Sequence, residues 1–244
     1  MKPKRVHLLG VPLDCVNMKQ SLERVDDMIC GQCPQAVIAI NPEKIIKAQS
    51  DAKLLNWLHQ AGLLIPDGIG AVVGVRFLTA EAIERVPGSE LMPAICERSV
   101  AKGYKLFLFG ARPEVNQKAV EVLTRRYPGI RIVGNQHGFV KDSEMPALVE
   151  RINASEADVL FVALGSPRQE LWMEQYLPQL NVKVCQGVGG TFDVIAGNVQ
   201  RAPLVFRRLH LEWFYRLITN PKRLVRQTAL PKFALSVLRQ KMLG

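Results

Sequence analysis

From residue 36 onward, short apolar runs alternate with stretches of helical periodicity, and this alternation limits the fold more than any other feature of the chain. AVIAI (36–40), GLLIP (62–66), YKLFLFG (104–110), IRIVG (130–134), ADVLFVALG (157–165) and VKVCQGVGG (182–190) read as strands. Residues 88–102, 113–126, 142–154 and 167–177 read as helices between them. Strands that are apolar almost throughout have both faces covered, which requires a parallel sheet between two helical layers. The fold class expected is therefore α/β, a Rossmann-like parallel sheet with helices on both faces.

In such sheets ligands bind beyond the carboxyl ends of the strands, and the unusual residues of this chain stand there. The first run is followed by Asn41-Pro42-Glu43, the second by Asp67-Gly68-Ile69-Gly70, and the third by Ala111-Arg112-Pro113. NQHGF, SPRQE and TFDVIAG follow the remaining three. Glycine at a strand end lets backbone N–H groups approach a ligand, and the helix N-terminus that follows favours a phosphate. A nucleotide-sized site is expected across Gly110, Gly138 and Phe139 of NQHGF, Gly165, and Gly189 and Gly190 of GVGGTFD. Taken singly, Asp67 reads equally well as a helix N-cap, and Gly110 as an ordinary strand-to-helix turn.

Several chemistries are excluded or disfavoured. GxGxxG spacing is absent, and no acidic residue ends the next strand to hold a ribose, so NAD binding is disfavoured. No GxxxxGK[ST] loop and no GxSxG elbow occur. His7, His59, His137 and His210 do not pair at metal-ligand spacing, and no cofactor or metal is expected. Cys30 and Cys33 in CGQC could form a redox pair or half a zinc site. They follow the apolar-periodic stretch Met18–Ile29, however, and Gly31 stands where a helix would end, so a helix-to-strand turn in a reducing compartment is the simpler reading. No apolar run approaches the roughly 18–20 residues that span a bilayer, and Pro12 and Asp14 stop the N-terminal apolar run too soon for a secretory signal. A cytoplasmic protein is expected.

Charge divides the chain near residue 200. Residues 201–244 hold ten Lys and Arg against one acid, Glu212, a net of +9 where the whole chain carries +10. We expect an α/β catalytic domain over 1–200 and a basic amphipathic C-terminal appendage over 201–244. In the latter, Leu230, Phe233, Ala234, Val237 and Leu238 share one helical face. Basic heads beside Trp213, Phe214 and Tyr215 suit an anionic bilayer surface, with burial against a sister subunit when no membrane is present. Nucleic acid is disfavoured as a partner, because the charge is confined to one apolar-rich tail and no binding module is recognisable.

INPEK, PDGIG, RVPGSEL, LFLFG, VGNQHGF, ALGSPRQE, GVGGTFDVIAGNVQRAP and LEWFYRLITNPKRLVRQ occur in that order over about residues 6–230. With them the chain resembles the bacterial WecG/TagA/CpsF glycosyltransferases, which add N-acetylmannosamine in wall teichoic acid linkage units or N-acetylmannosaminuronic acid in enterobacterial common antigen. The resemblance implies an inverting, metal-independent transfer from a UDP-sugar to undecaprenyl-diphosphate-linked GlcNAc at the inner face of the cell membrane. It makes Asp67 the general base, places Asn41, Arg85 and Gln169 in the same pocket, sets Asp193 with Gly189 and Gly190 on the nucleotide side, and directs Arg216, Arg223 and Arg226 to the acceptor diphosphate. Ala39 stands where teichoic-acid members carry Thr, which leans toward the common-antigen branch. Transfer of another hexose to a lipid-linked intermediate, or another sugar-nucleotide reaction on the same scaffold, is the alternative.

Overall fold

The computed structural model describes residues 2–79, 81–209, 211–219 and 228–243. It opens with a hairpin, β1 (Arg5–Leu8) and β2 (Val11–Asp14), that the sequence reading did not anticipate. Its two-residue turn places Leu9 and Gly10 at φ 52° and 81°, the left-handed pair that a tight antiparallel turn requires. Arg5 Nε and Nη2 donate to the two carboxylate oxygens of the buried Asp14 at 2.7 and 2.9 Å. Asp14 Oδ2 also accepts the Leu64 N–H at 2.8 Å, which ties the hairpin to the main sheet.

The body then alternates as expected. In chain order it contains α1 (Met18–Ile29), β3 (Gln35–Ile40), α2 (Pro42–Gln49), α3 (Ala52–Gln60), β4 (Leu63–Pro66), α4 (Ile69–Thr79), α5 (Gly88–Lys102) and β5 (Lys105–Gly110). There follow α6 (Pro113–Arg126), β6 (Arg131–Gln136), α7 (Met145–Ala154), β7 (Val159–Ala163), α8 (Arg168–Tyr176), β8 (Val184–Gly187) and α9 (Thr191–Ile195). Local signals mark several helix ends. Asn17 and Gln20 form a capping box at the start of α1, Pro113 opens α6, and Gly103 at φ 73° closes α5. CGQC lies in the turn between α1 and β3, with Cys30 and Cys33 exposed and free.

The six main strands form one parallel sheet in the order β4-β3-β8-β7-β5-β6. Side chains alternate between two apolar layers. Along β5, Leu106 and Leu108 join the layer formed with α1, α5, α6 and α9, while Phe107 and Phe109 join the layer formed with α2, α3, α4, α7 and α8. β8, last in sequence, lies between β3 and β7, and this placement assembles the site.

The C-terminal segment is helical, with α10 (Leu204–Arg208), α11 (Glu212–Thr219) and α12 (Ala229–Leu243). The division at residue 200 is one of charge rather than packing. Arg201 pairs with Glu90 of α5, and Phe233 and Val237 of α12 are buried in the same apolar layer as α2 and α4. Those two inner positions of the expected stripe face the body, whereas Leu238 is exposed. On α10 and α11, Leu204, Val205, Phe214 and Ile218 are exposed. Among the described residues no helix is long and apolar enough to cross a membrane.

Candidate active site

A cleft of ≈ 490 Å³ opens over the carboxyl ends of four adjacent strands, β4, β3, β8 and β7. Asn41, Asp67, Arg85, Gln169, Gly165, Gly189 and Gly190 line it, so seven of the residues singled out in the sequence meet there. Gly110 and Gly138 do not line it. Gly110 ends β5 and Gly138 follows β6, on the far side of β7. A methyl group built on Gly110 (φ 122°) would stand 2.5 Å from the Ala163 backbone, and one on Gly138 would stand 2.8 Å from Leu164 Cδ2. These two glycines thus serve a close approach of protein to protein. Phe139 is exposed beside them, and Asp193, in α9, accepts the Asn198 N–H on its backbone carbonyl. Neither lines the cleft. Arg223 and Arg226 lie outside the described residues, as does the side chain of Arg216, whose backbone belongs to α11.

Asp67 is held through its backbone on both sides. Its N–H donates to Ile40 O at 3.0 Å, and its carbonyl accepts from Arg85 Nε at 2.7 Å. The neighbouring Gly68 lets this loop lie against the end of β3, since a methyl group there would reach within 2.8 Å of Pro42 Cδ. Asn41 caps α2, its side chain accepting the Lys44 N–H at 2.8 Å. The carboxylate of Asp67 is therefore presented from an anchored turn rather than a free loop.

Arg85 makes a second contact that the sequence did not reveal. Its Nη2 donates to Glu212 Oε2 at 3.1 Å, with the two side chains 17% and 7% exposed. Glu212 is the one acid of the basic tail, and here it joins α11 to the loop that carries Asp67. Trp213, Ala229 and Leu230 from the same tail complete the cleft wall.

A second pair is deeper. Lys44 Nζ lies 2.7 Å from Glu170 Oε1, with side chains 7% and 2% exposed. Burial alone would push the Glu170 carboxyl up. The Lys44 ammonium and the hydrogen bonds from Lys44 and Gln169 outweigh it and hold the carboxyl below its ordinary value. Gln169 lies between this pair and the β8 turn. Its Nε2 donates to Glu170 Oε1 at 3.1 Å, and its Oε1 accepts the Gly189 N–H at 2.9 Å. Among the described residues no group of three or more His, Cys, Asp or Glu side chains is disposed to hold a metal ion.

A parallel sheet between two helical layers, with a polar cleft across its strand ends, defines a doubly wound α/β protein with one principal ligand site. Comparison with known proteins narrows the class. A model of the glycosyl transferase WecG/TagA/CpsF family matches residues 6–244, and the chain belongs to that family. A Bacillus spizizenii protein named N-acetylglucosaminyldiphosphoundecaprenol N-acetyl-beta-D-mannosaminyltransferase is 37% identical over 205 residues, 84% of this chain and 79% of the relative. Proteins of the same name from Staphylococcus aureus (strain MRSA252) and Bacillus subtilis (strain 168) are each 34% identical. They cover 97% and 99% of this chain, and in both cases 93% of the relative.

Proposed function

We propose that the protein transfers an N-acetylmannosamine-type sugar from UDP to undecaprenyl-diphosphate-linked GlcNAc, with inversion and without a metal ion, at the inner face of the cell membrane. The observation that carries the proposal is the convergence of Asn41, Asp67, Arg85 and Gln169 with three glycines in one cleft that the C-terminal segment helps to wall. Asp67 is the general base. It takes the proton from the attacking hydroxyl of the acceptor as the new bond forms at the anomeric carbon, and UDP departs from the opposite face. An anchored carboxylate suits this role because little reorganisation accompanies the transfer. The departing diphosphate gathers negative charge, which the backbone N–H groups of Gly165 and Gly190 would receive, the Gly189 N–H being held by Gln169.

Two observations bear on the sugar. The relatives are named for N-acetylmannosamine. Among the described residues, the two cations in the cleft lining, Lys44 and Arg85, each have a carboxylate partner. Both favour the uncharged hexosamine over its uronic acid, against the lean that Ala39 suggests. The acceptor is a lipid, and the exposed apolar side chains of α10 and α11 beside the tail's positive charge suit an anionic bilayer surface. The test is UDP release from a panel of UDP-sugars in the presence of a polyprenyl-diphosphate-GlcNAc acceptor. UDP-N-acetylmannosamine should be the best donor, and failure of every UDP-hexosamine and UDP-uronate to react would refute the proposal.

A further inference from the structure

Three of the strand ends beneath the cleft are joined by side chains for which the proposed chemistry has no direct use. Lys44 stands in the first turn of α2, after β3. Gln169 and Glu170 stand in the first turn of α8, after β7, and Gly189 follows β8, the strand between them. The hydrogen bonds run Lys44 Nζ to Glu170 Oε1, Gln169 Nε2 to the same oxygen, and Gly189 N to Gln169 Oε1, at 2.7, 3.1 and 2.9 Å. The fit is close, since a methyl group on Gly187 would stand 2.7 Å from Gln169 Nε2.

A glutamine amide has a donor end and an acceptor end of nearly the same shape, so its orientation is set only by its partners. An ionised carboxylate accepts and cannot donate. Glu170 therefore draws the NH₂ of Gln169 toward itself, which leaves the amide oxygen facing the Gly189 N–H. In the reversed orientation two donors would meet at Gly189. A buried ion pair is often replaceable by apolar side chains with no loss of stability, so stability alone gives little reason for this pair beside the cleft. We propose that Glu170, with Lys44 as its counter-ion, is a positioning residue of the donor site: it sets the amide orientation of Gln169, which holds the Gly189 turn in place against the nucleotide-sugar. The proposal rests on the reading of the cleft as a UDP-sugar site.

Two double variants test it, neither of which leaves a charge buried alone. Lys44→Met with Glu170→Leu removes the acceptor for Gln169, whereas Lys44→Met with Glu170→Gln retains an amide oxygen there. In the unliganded protein, amide hydrogen exchange at Gly189 should be about tenfold faster in the Leu variant, the worth of one hydrogen bond, and should return toward wild type in the Gln variant. The KM for the UDP-sugar should follow the same pattern with kcat little changed. Adding Gln169→Ala to the Leu variant should cause little further loss of Gly189 protection. Wild-type protection of Gly189 in the Leu variant overturns the relay. Faster exchange with an unchanged KM overturns its role in the donor site. The amide orientation can also be read in the unsubstituted protein by nuclear Overhauser contacts of the Gln169 NH₂ protons. Contacts to Lys44 are expected, and close contact to the Gly189 N–H instead would overturn the proposal even if neither variant folds. Because the exchange and orientation measurements need no substrate, a failed relay is distinguishable from a failed donor-site reading, which absence of UDP binding by the wild-type protein would expose.

Discussion

Phe233→Ala tests whether the C-terminal helix belongs to the body on which it lies. Phe233 is 6% exposed, and its ring closes on α4 where Gly74 makes room for it. A methyl group on Gly74 would stand 3.0 Å from Phe233 Cζ, and one on Gly70 would stand 3.7 Å from Cε1. Removing the ring leaves a cavity walled partly by glycine backbone, which has no side chain to move into the space. Phe→Ala at such a site costs about 3–5 kcal/mol. For a chain of this size each kcal/mol lowers Tm by about 2–4 °C, so even the lower cost predicts a fall of about 6–12 °C. Urea unfolding followed by far-UV circular dichroism should show an earlier midpoint at unchanged slope, since complete unfolding exposes nearly the same surface. The loss should extend to catalysis, because α12 begins at Ala229 and Leu230 in the cleft wall. A shift within the roughly 0.5 kcal/mol expected of an exposed side chain would refute this reasoning. The α12 helix would then add little to the stability of the fold.

Asp67→Asn keeps the shape and capping ability of the side chain but removes its basicity, so turnover should fall by about 10²–10⁴-fold while UDP affinity and Tm stay near wild type. Glu212→Gln replaces the ion pair with Arg85 by a hydrogen bond to an uncharged amide oxygen; it should lower stability by about 1–2 kcal/mol, lower Tm modestly and quicken proteolysis within 201–219. Acid should destabilise the fold. The carboxyls of Glu170 and Asp26 lie below their ordinary values of 4.5 and 3.8, the latter because hydrogen bonds from Arg98 and Tyr104 overcome the opposing effect of burial. Their stabilisation is in place above those ordinary values and is lost as pH falls through the lowered ones, so urea midpoints should decline as pH drops below about 4.5. Chelator should leave UDP release unchanged, and a strict requirement for added Mg²⁺ or Mn²⁺ would overturn metal independence.

What the sequence reveals depends on whether the cause is local. The expected helices 88–102 and 113–126 coincide with α5 and α6 because Gly103 and Pro113 mark their boundaries. The buried strands are recognisable because a parallel strand is apolar on both faces. The β1–β2 hairpin escapes notice because each strand is only four residues long, and Pro12, Asp14 and Arg5 interrupt the apolar pattern. Strand order is set by packing between distant segments, and with it the half of the sheet that holds the cleft. A glycine at a strand end looks the same in sequence whether it admits a ligand, as Gly189 can, or another strand, as Gly110 does against Ala163. Lys44 and Glu170 are harder still. Each reads as the solvated charge of an amphipathic helix until helices 126 positions apart bring them together.

Apolar side chains and one acid hold the described part of the tail to the body. Phe233 and Val237 fix α12 to the body, and Glu212 fixes α11 to Arg85. Neither of these two anchors uses the positive charge, whereas Arg201 pairs with Glu90 of α5 and Lys241 lies over the Phe77 ring, 5.6 Å from its centroid. Helix α11 is only eight residues long, roughly 12 Å at the helical rise. It carries Glu212 at its buried end and exposes Phe214 and Ile218. A rigid element that short cannot move on its outer side without moving Glu212, and Glu212 reaches the Asp67 carbonyl through the single side chain of Arg85. If the outer side of α11 meets a lipid surface, as proposed, this pair links adsorption mechanically to the placement of the general base. Glu212→Gln should then weaken turnover on a bilayer-embedded acceptor more than on a short, water-soluble one. Equal losses on the two acceptors would show that the pair serves the fold alone.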